Sequence, residues 1–322
     1  MKYKCTKYKD VTFIEIFLNK FKVTLSTLGA SIYEIDRNGD VLTLTPSKYD
    51  DFLKDNIYHG KTIGPVANRI KNAELKIDDN LFCFTPNENN NLLHSGIHGF
   101  SNTIFEYEIC EVNGDLLVIF STFASNSYDG FPGERSVKIT YKISENGSLN
   151  LLIIYDVFSD AKTLLKMTNH TYFNLGKQNI ENLSLKVRSK FYIRPDDNDL
   201  LPISKEQIID CLDFSDKKKL SDAINNEFLK KVRANGIDHF IYFDSHINDV
   251  RLSLESTKYL LELKTDFEGV QLYSDNYEDN VSYKSISTLK NRGLAIEPSD
   301  SHLDYNLTQV YQRYISYKIS LK

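Results

Sequence analysis

The stretch that decides the fold is Val137-Lys138-Ile139-Thr140-Tyr141-Lys142-Ile143, the turn Asn146-Gly147, and then Leu149-Asn150-Leu151-Leu152-Ile153-Ile154-Tyr155-Asp156-Val157. Two runs rich in β-branched and aromatic residues flank a turn built for a hairpin. The same arrangement recurs outward from it. Ile104 to Val112 and Leu116 to Phe123 flank Asn113-Gly114, and Glu74 to Ile77 and Leu81 to Phe84 flank Asp78-Asp79-Asn80. Nearer the start, Val11 to Leu18, Phe21 to Leu25 and Ser31 to Ile35 precede Asn38-Gly39. Downstream, Leu183 to Ile193, Phe240 to Phe243, Arg251 to Leu254, Tyr259 to Thr265, Val270 to Tyr273 and Tyr314 to Leu321 read as further strands. Thr45-Pro46 predicts an N-cap and first helical position for a short helix through Leu53, and Ser221 to Val232 predicts a second, with Ser221 as its cap. Asp213 to Lys219 reads as a solvated loop. Short strands and polar turns without alternating helices predict an all-β chain, an antiparallel sandwich with a few short helices. With no low-complexity linker and no repeat, residues 1–322 are expected to form one domain.

The composition narrows the partners. A net charge of −5 with scattered basic residues gives no footprint for nucleic acid. No apolar run approaches the ~20 residues that cross a bilayer, and the first ten residues lack a signal peptide's apolar core. Cys5, Cys83, Cys110 and Cys211 form no Cys-x-x-Cys pair and read as reduced thiols. A cytoplasmic protein is expected.

Unusual polar groups gather in five places. Lys166-Met-Thr-Asn-His-Thr-Tyr-Phe-Asn-Leu-Gly176 surrounds His170 with residues able to fix its tautomer, and an imidazole exchanges protons near neutral pH. Asn68 and Arg69, in Gly64 to Ile70, can donate several hydrogen bonds to ligand oxygens. His94 and His98 are four apart, but Gly96 and Gly99 argue against one helix presenting both to a metal, and Ser95 stands where a zinc protease needs glutamate. No metal site is expected there, and His94 reads as facing a ligand. Asp238 lies between a turn and a strand. Glu297 precedes Pro298, which places it at a strand end or edge; opposite an imidazole it would make an acid–base pair.

In this order the segments resemble the aldose 1-epimerase (galactose mutarotase) family over nearly the whole chain. The likeness rests on Asn169-His-Thr-Tyr-Phe-Asn-Leu175, Ala67-Asn-Arg-Ile70, and Leu93-His94 leading to Gly99-Phe100. It is supported by Gly130-Phe-Pro-Gly133, Asp238-His-Phe240, Gly269-Val-Gln-Leu-Tyr273 with Asn276, and Glu297. The resemblance implies a large β-sandwich that interconverts the anomers of a free aldose, with neither cofactor nor metal. It implies that Glu297 takes the proton of the C1 hydroxyl and His170 protonates the ring oxygen, while Asn68, Arg69, His94, Asp238 and Gln271 hold the sugar. Tyr172, Phe173 and Tyr273 could pack under a pyranose, although core packing is the expected role for most of them. A small-molecule sugar is the expected partner, with the chain a monomer or homodimer. Pro65, Ser95 and Ser299 depart from the family's common Arg, Gly and Gln and bear on which sugar is taken. The alternatives are a carbohydrate-binding protein without catalysis, an epimerase of a modified or phosphorylated sugar, and a glycoside hydrolase using Asp238 with Glu297.

Overall fold

In the computed structural model, which describes residues 1–231 and 233–322, Leu149–Leu164 is the longest strand and the spine of a nine-stranded antiparallel sheet. Its alternation explains this. Leu149, Leu151, Ile153, Tyr155 and Val157 are buried, while the residues between them are only partly covered, the period of two that a half-buried strand requires. Ile153 sits opposite Tyr141 on one side and Ile315 on the other. A slip of one residue would turn this whole row away from the core, so burial itself fixes the register. Each such side chain contributes about 1.5–3 kcal/mol when buried.

From one edge the sheet runs Glu106–Val112, Asp115–Ala124, Arg135–Glu145, Leu149–Leu164, Leu307–Leu321, Tyr259–Thr265, Leu252–Glu255, Ser184–Val187 and Lys218–Lys219. The last full strand of the chain thus inserts beside a strand from its middle. A six-stranded sheet, Tyr172–Phe173, Leu294–Ser299, Gly269–Tyr273, Asp238–Tyr242, Phe191–Pro195 and Pro202–Gln207, carries much of the cleft described below. A five-stranded sheet holds Lys2–Tyr8, Val11–Phe17, Phe21–Ser26, Ser31–Arg37 and Asp40–Val41. One apolar cluster draws on all three sheets, from Ile14 to Ile319. The chain is therefore the expected all-β sandwich.

Two turns have the expected chemistry. Asn38 and Gly39 (φ 51° and 92°) close the hairpin between Arg37 and Asp40, and Asn113 and Gly114 (53° and 85°) close that between Val112 and Asp115. Positive φ at both central residues matches the twist of the flanking strands. At Asn146–Ser148 only Gly147 is left-handed, in a three-residue loop between Glu145 and Leu149.

Other expectations give way to tertiary structure. Lys2–Tyr8 is an unforeseen edge strand paired with Val11–Phe17, and its lysines suit an edge that must not recruit another chain. Pro202–Gln207, also unforeseen, is the edge of the six-stranded sheet. Leu183 to Ile193 is not one strand: Ser184–Val187 belongs to the nine-stranded sheet and Phe191–Pro195 to the six-stranded one, so the chain changes layers between them. The first helix is Tyr49–Leu53, with Lys48 at the N-cap position. Thr45 is buried instead, its hydroxyl within hydrogen-bond reach of Thr43 and the Tyr33 carbonyl. Leu220–Ile224 and Glu227–Lys231 form two short helices in place of one, the first with Lys219 rather than Ser221 at its cap position. The expected end of that helix, Val232, lies outside the described residues. The loop before it is anchored, since Phe214 is buried and Lys218–Lys219 pair with Ser184–Leu185. All four cysteines are free. Among the described residues no helix is long and apolar enough to cross a membrane.

Candidate active site

A cleft of about 460 Å³ is lined by Asn68, Arg69, His94, His170, Asp238, Gln271 and Glu297 together. They arrive from separate stretches of chain, and the fold explains how each is held.

Glu297 lies in Leu294–Ser299, directly opposite Gln271, and Gln271 in turn lies opposite Phe240 two residues from Asp238. The Gln271 amide donates to Asp238 Oδ1 at 2.5 Å. The far side of Leu294–Ser299 pairs with Tyr172–Phe173 only at Leu294 and Ala295. One further bond, from the Ile296 N–H to the Thr171 carbonyl at 3.3 Å, follows on that side, and the ladder there stops short of Pro298, which has no N–H to donate. Asp238 follows a turn fixed by Asn276, whose amide donates to the carbonyls of Ala234 and Ile237 at 2.8 and 3.0 Å. At Gly236 a Cβ would stand 2.4 Å from Asn276 Oδ1, so glycine is required for that approach.

His170 sits between Thr168–Asn169, paired with Thr62–Ile63, and Tyr172–Phe173. Its backbone N–H donates to the Lys61 carbonyl at 2.9 Å, and its carbonyl accepts from Gly60 at 3.0 Å. Its Nε2 lies 3.3 Å from Glu297 Oε1, with both side chains 5% exposed. Burial pushes the imidazole down to about 3. Burial, assisted by Asp238 and opposed by Arg69, holds the Glu297 carboxyl well above its usual range. Both shifts have one cause, because a low-dielectric site disfavours the charged form of each group. Both groups thus favour their neutral forms, a protonated carboxyl facing a neutral imidazole.

His94 is fixed by reciprocal contacts. Its N–H donates to the Asn68 carbonyl at 3.0 Å, and its Nδ1 accepts the Asn68 N–H at 3.1 Å. A neutral ring accepting at Nδ1 carries its proton on Nε2, and burial keeps the ring neutral. His94 is thus a hydrogen-bond donor. Arg69, half-buried, forks onto Glu88 at 2.5 and 2.9 Å, and the same carboxylate accepts from Arg233 at 3.0 Å.

The ligand-capable atoms of His94, His170 and Glu297 lie within 4.8 Å of one another, a spacing a metal ion could bridge. The tautomer opposes it. With Nδ1 accepting from Asn68 and Nε2 protonated, His94 offers no free lone pair, and a metal would first have to break that hydrogen bond.

Several lining residues escaped the sequence reading: Tyr58, Glu88, Arg233, Tyr277 and His302. His302 was legible in principle as one of only seven histidines, five residues beyond Glu297. Its Nε2 is 3.4 Å from Ser299 Oγ, and burial pushes it down to about 3. Of the three departures, Ser299 lines the cleft, whereas Pro65 and Ser95 do not. Ser95 instead ties both backbone groups of Val66 through its hydroxyl, at 2.8 and 2.9 Å. Tyr172 and Tyr273 face the cleft, but Phe173 packs in the core against Tyr317 with centroids 5.0 Å apart. His98 is exposed, stacked edge-on against Tyr128.

Comparison with known proteins places this arrangement. The chain is 28% identical to human galactose mutarotase over 292 residues, covering 87% of this chain and 80% of the human protein. It is 29% identical to aldose 1-epimerase of Haemophilus influenzae over 240 residues, 71% of this chain and 67% of that one. Among solved structures it resembles galactose 1-epimerase from Lactobacillus acidophilus, with a TM-score of 0.90 at 23% identity and 99% of each chain covered. It also resembles an aldose epimerase homologue from C. elegans, with a TM-score of 0.84 at 26% identity, covering 96% of this chain and 98% of that one. The family model described as aldose 1-epimerase matches residues 14–309. The chain belongs to the aldose 1-epimerase family of isomerases.

Proposed function

We propose that the chain interconverts the α and β anomers of a free hexose such as galactose or glucose, within a single domain of residues 1–322. The contact between His170 Nε2 and Glu297 Oε1 at 3.3 Å carries this reading. The C1 hydroxyl and the ring oxygen are bonded to the same carbon, so an acid and a base this close can reach both at once. Glu297 removes the C1 hydroxyl proton while His170 delivers its proton to the ring oxygen. The C1–O5 bond breaks and C1 becomes a carbonyl. Rotation about C1–C2 presents the other face, His170 takes back the proton of the C5 hydroxyl, and Glu297 returns its own to the carbonyl oxygen.

After ring opening the carboxyl is protonated and the imidazole neutral, the state that burial favours for this pair. The site is therefore suited electrostatically to the open-chain sugar. Asn68, Arg69, His94, Asp238 and Gln271 supply donors and acceptors to hold that intermediate until it recloses. The cleft favours a neutral sugar over a phosphorylated one, because Arg69 and Arg233 are both engaged by Glu88. Asp238 is engaged by Gln271, and a hydrolase built on two carboxylates would leave His170 idle.

Polarimetry on freshly dissolved α-galactose, α-glucose, a hexose phosphate and a glycoside tests the reading. Acceleration beyond buffer is expected for at least one free hexose, with weaker or no effect on the phosphate and no glycoside cleavage. Sugar binding without acceleration would make the chain a binding protein instead.

A further inference from the structure

The segment Asp55–Lys61 carries three ionisable groups that the chemistry above does not use. The side chains of Asp55, His59 and Lys61 are 2%, 3% and 1% exposed. His59 Nδ1 lies 2.9 Å and Lys61 Nζ 3.8 Å from the Asp55 carboxylate. That carboxylate also accepts the backbone N–H groups of Ile57 at 2.8 Å and His59 at 2.6 Å. Burial alone would raise the Asp55 carboxyl, but His59, Lys61 and the backbone donor hold it well below the usual carboxylate range. Buried charges of this kind are a poor route to stability, since apolar packing serves as well or better. Their place in the fold gives them another use.

The turn that Asp55 organises is stitched to the catalytic segment. Tyr172 Oη donates to the Ile57 carbonyl at 3.0 Å and the Asn169 amide donates to the Gly60 carbonyl at 2.8 Å. Both backbone groups of His170 are taken by Gly60 and Lys61. Inside the turn Tyr58 adopts φ 62°, a left-handed conformation costly for an aromatic residue. Its ring lies edge-on to His94 at 4.7 Å and tilted to His170 at 5.8 Å, on the wall of the cleft.

We propose that Asp55 is a positioning residue of the reaction: through the 57–61 turn it fixes His170 and the Tyr58 ring, and its negative charge supports the proton that His170 delivers. The proposal rests on the acid–base roles given above. His170 is faced by Glu297 at 3.3 Å and by the rings of His94, Tyr58 and Tyr172, and it is joined to the Asp55–His59–Lys61 cluster through the backbone of Gly60 and Lys61. Burial and His59 oppose the imidazolium and Asp55 favours it, while Glu297 and Lys61 enter by the sign of their charge alone.

The test is the pH dependence of mutarotation by Asp55→Asn and Lys61→Met, normalised to folded protein by circular dichroism. Asp55→Asn is expected to lower kcat about 10-fold or more with KM changed less than about 3-fold. Removing a negative charge weakens proton binding by the pair, so both limbs of its profile move to lower pH, by about half a unit. Lys61→Met removes a positive charge and moves them to higher pH. A purely structural cluster would reduce the folded fraction and leave the limbs in place, which overturns the proposal. Should Asp55→Asn not fold, Tyr58→Gly decides. Glycine accepts the left-handed backbone, so the melting temperature should hold while kcat falls about 10-fold; unchanged kcat overturns the role of the ring. Wild-type protein inactive on every aldose defeats the acid–base reading itself, whereas active wild type with unmoved limbs defeats only the role of Asp55.

Discussion

The strand Leu149–Leu164 and the cleft both bury side chains, yet they are built on opposite principles. Along the strand the inward residues are Leu, Ile, Val and Tyr, and alternation with half-covered neighbours fixes their register. In the cleft three imidazoles and the Glu297 carboxylate are buried, with Asp238 and Arg69 half-buried beside them, and no local period brings them together. Burial stabilises the first region directly. In the second it perturbs proton affinities, a cost that the proposed acid and base would put to use. The two regions should therefore respond to substitution in opposite ways.

The largest effect is expected on catalysis alone. Glu297→Gln and His170→Asn should each lower kcat/KM by about 10²–10⁴-fold, measured by polarimetry, without lowering the melting temperature by more than a few degrees. Ile153→Ala tests the other region. Deleting a fully buried isoleucine opens a cavity and should cost about 2–5 kcal/mol in urea unfolding, with kcat/KM of the folded fraction unchanged. Either variant behaving like the other would erase the distinction.

A smaller effect concerns His239, a buried imidazole outside the cleft whose Nδ1 accepts the Asp238 N–H at 3.1 Å. Burial pushes it from 6.5 down to about 4. In that interval the unfolded chain takes up a proton that the folded one refuses, so its contribution to stability is present above pH 6.5 and lost as pH falls towards 4. Wild type should lose about 1.4 kcal/mol more per pH unit in that window than His239→Gln, read from urea unfolding at several pH values. Equal slopes would mean that the ring does not resist protonation. The smallest change is expected for Ser299→Ala, which removes a hydroxyl contact to His302: KM should rise about 2- to 5-fold with kcat retained. No change in KM for any hexose would remove Ser299 from substrate recognition.

The same contrast explains what could be read from the sequence. Asn38-Gly39 and Asn113-Gly114 announced their hairpins because turn chemistry is local. Lys2–Tyr8 and Pro202–Gln207 did not announce themselves, being exposed edges whose pairing comes from a neighbour. The break in Leu183 to Ile193 is invisible locally because both halves are good strands and only the sandwich separates them. In the cleft, Asn68, Arg69, His94, His170, Asp238 and Glu297 stood out as polar groups in loops and at strand ends, the family resemblance added Gln271 and the roles, and periodicity found none of them. Tyr58, Arg233, His302 and the Asp55 cluster were missed because their significance lies in what they touch. Only the positions of Glu88, Ser299 and His170 in space make them stand out.

The proposed acid–base pairing of His170 with Glu297 is tested most directly by polarimetric rates for wild type, His170→Asn, Glu297→Gln and the double variant on the best hexose. Two groups acting as one unit predict that each single change removes nearly all of the enzymatic rate and that the double change removes no more. Losses that multiply in the double variant, or substantial activity in either single one, would contradict the account.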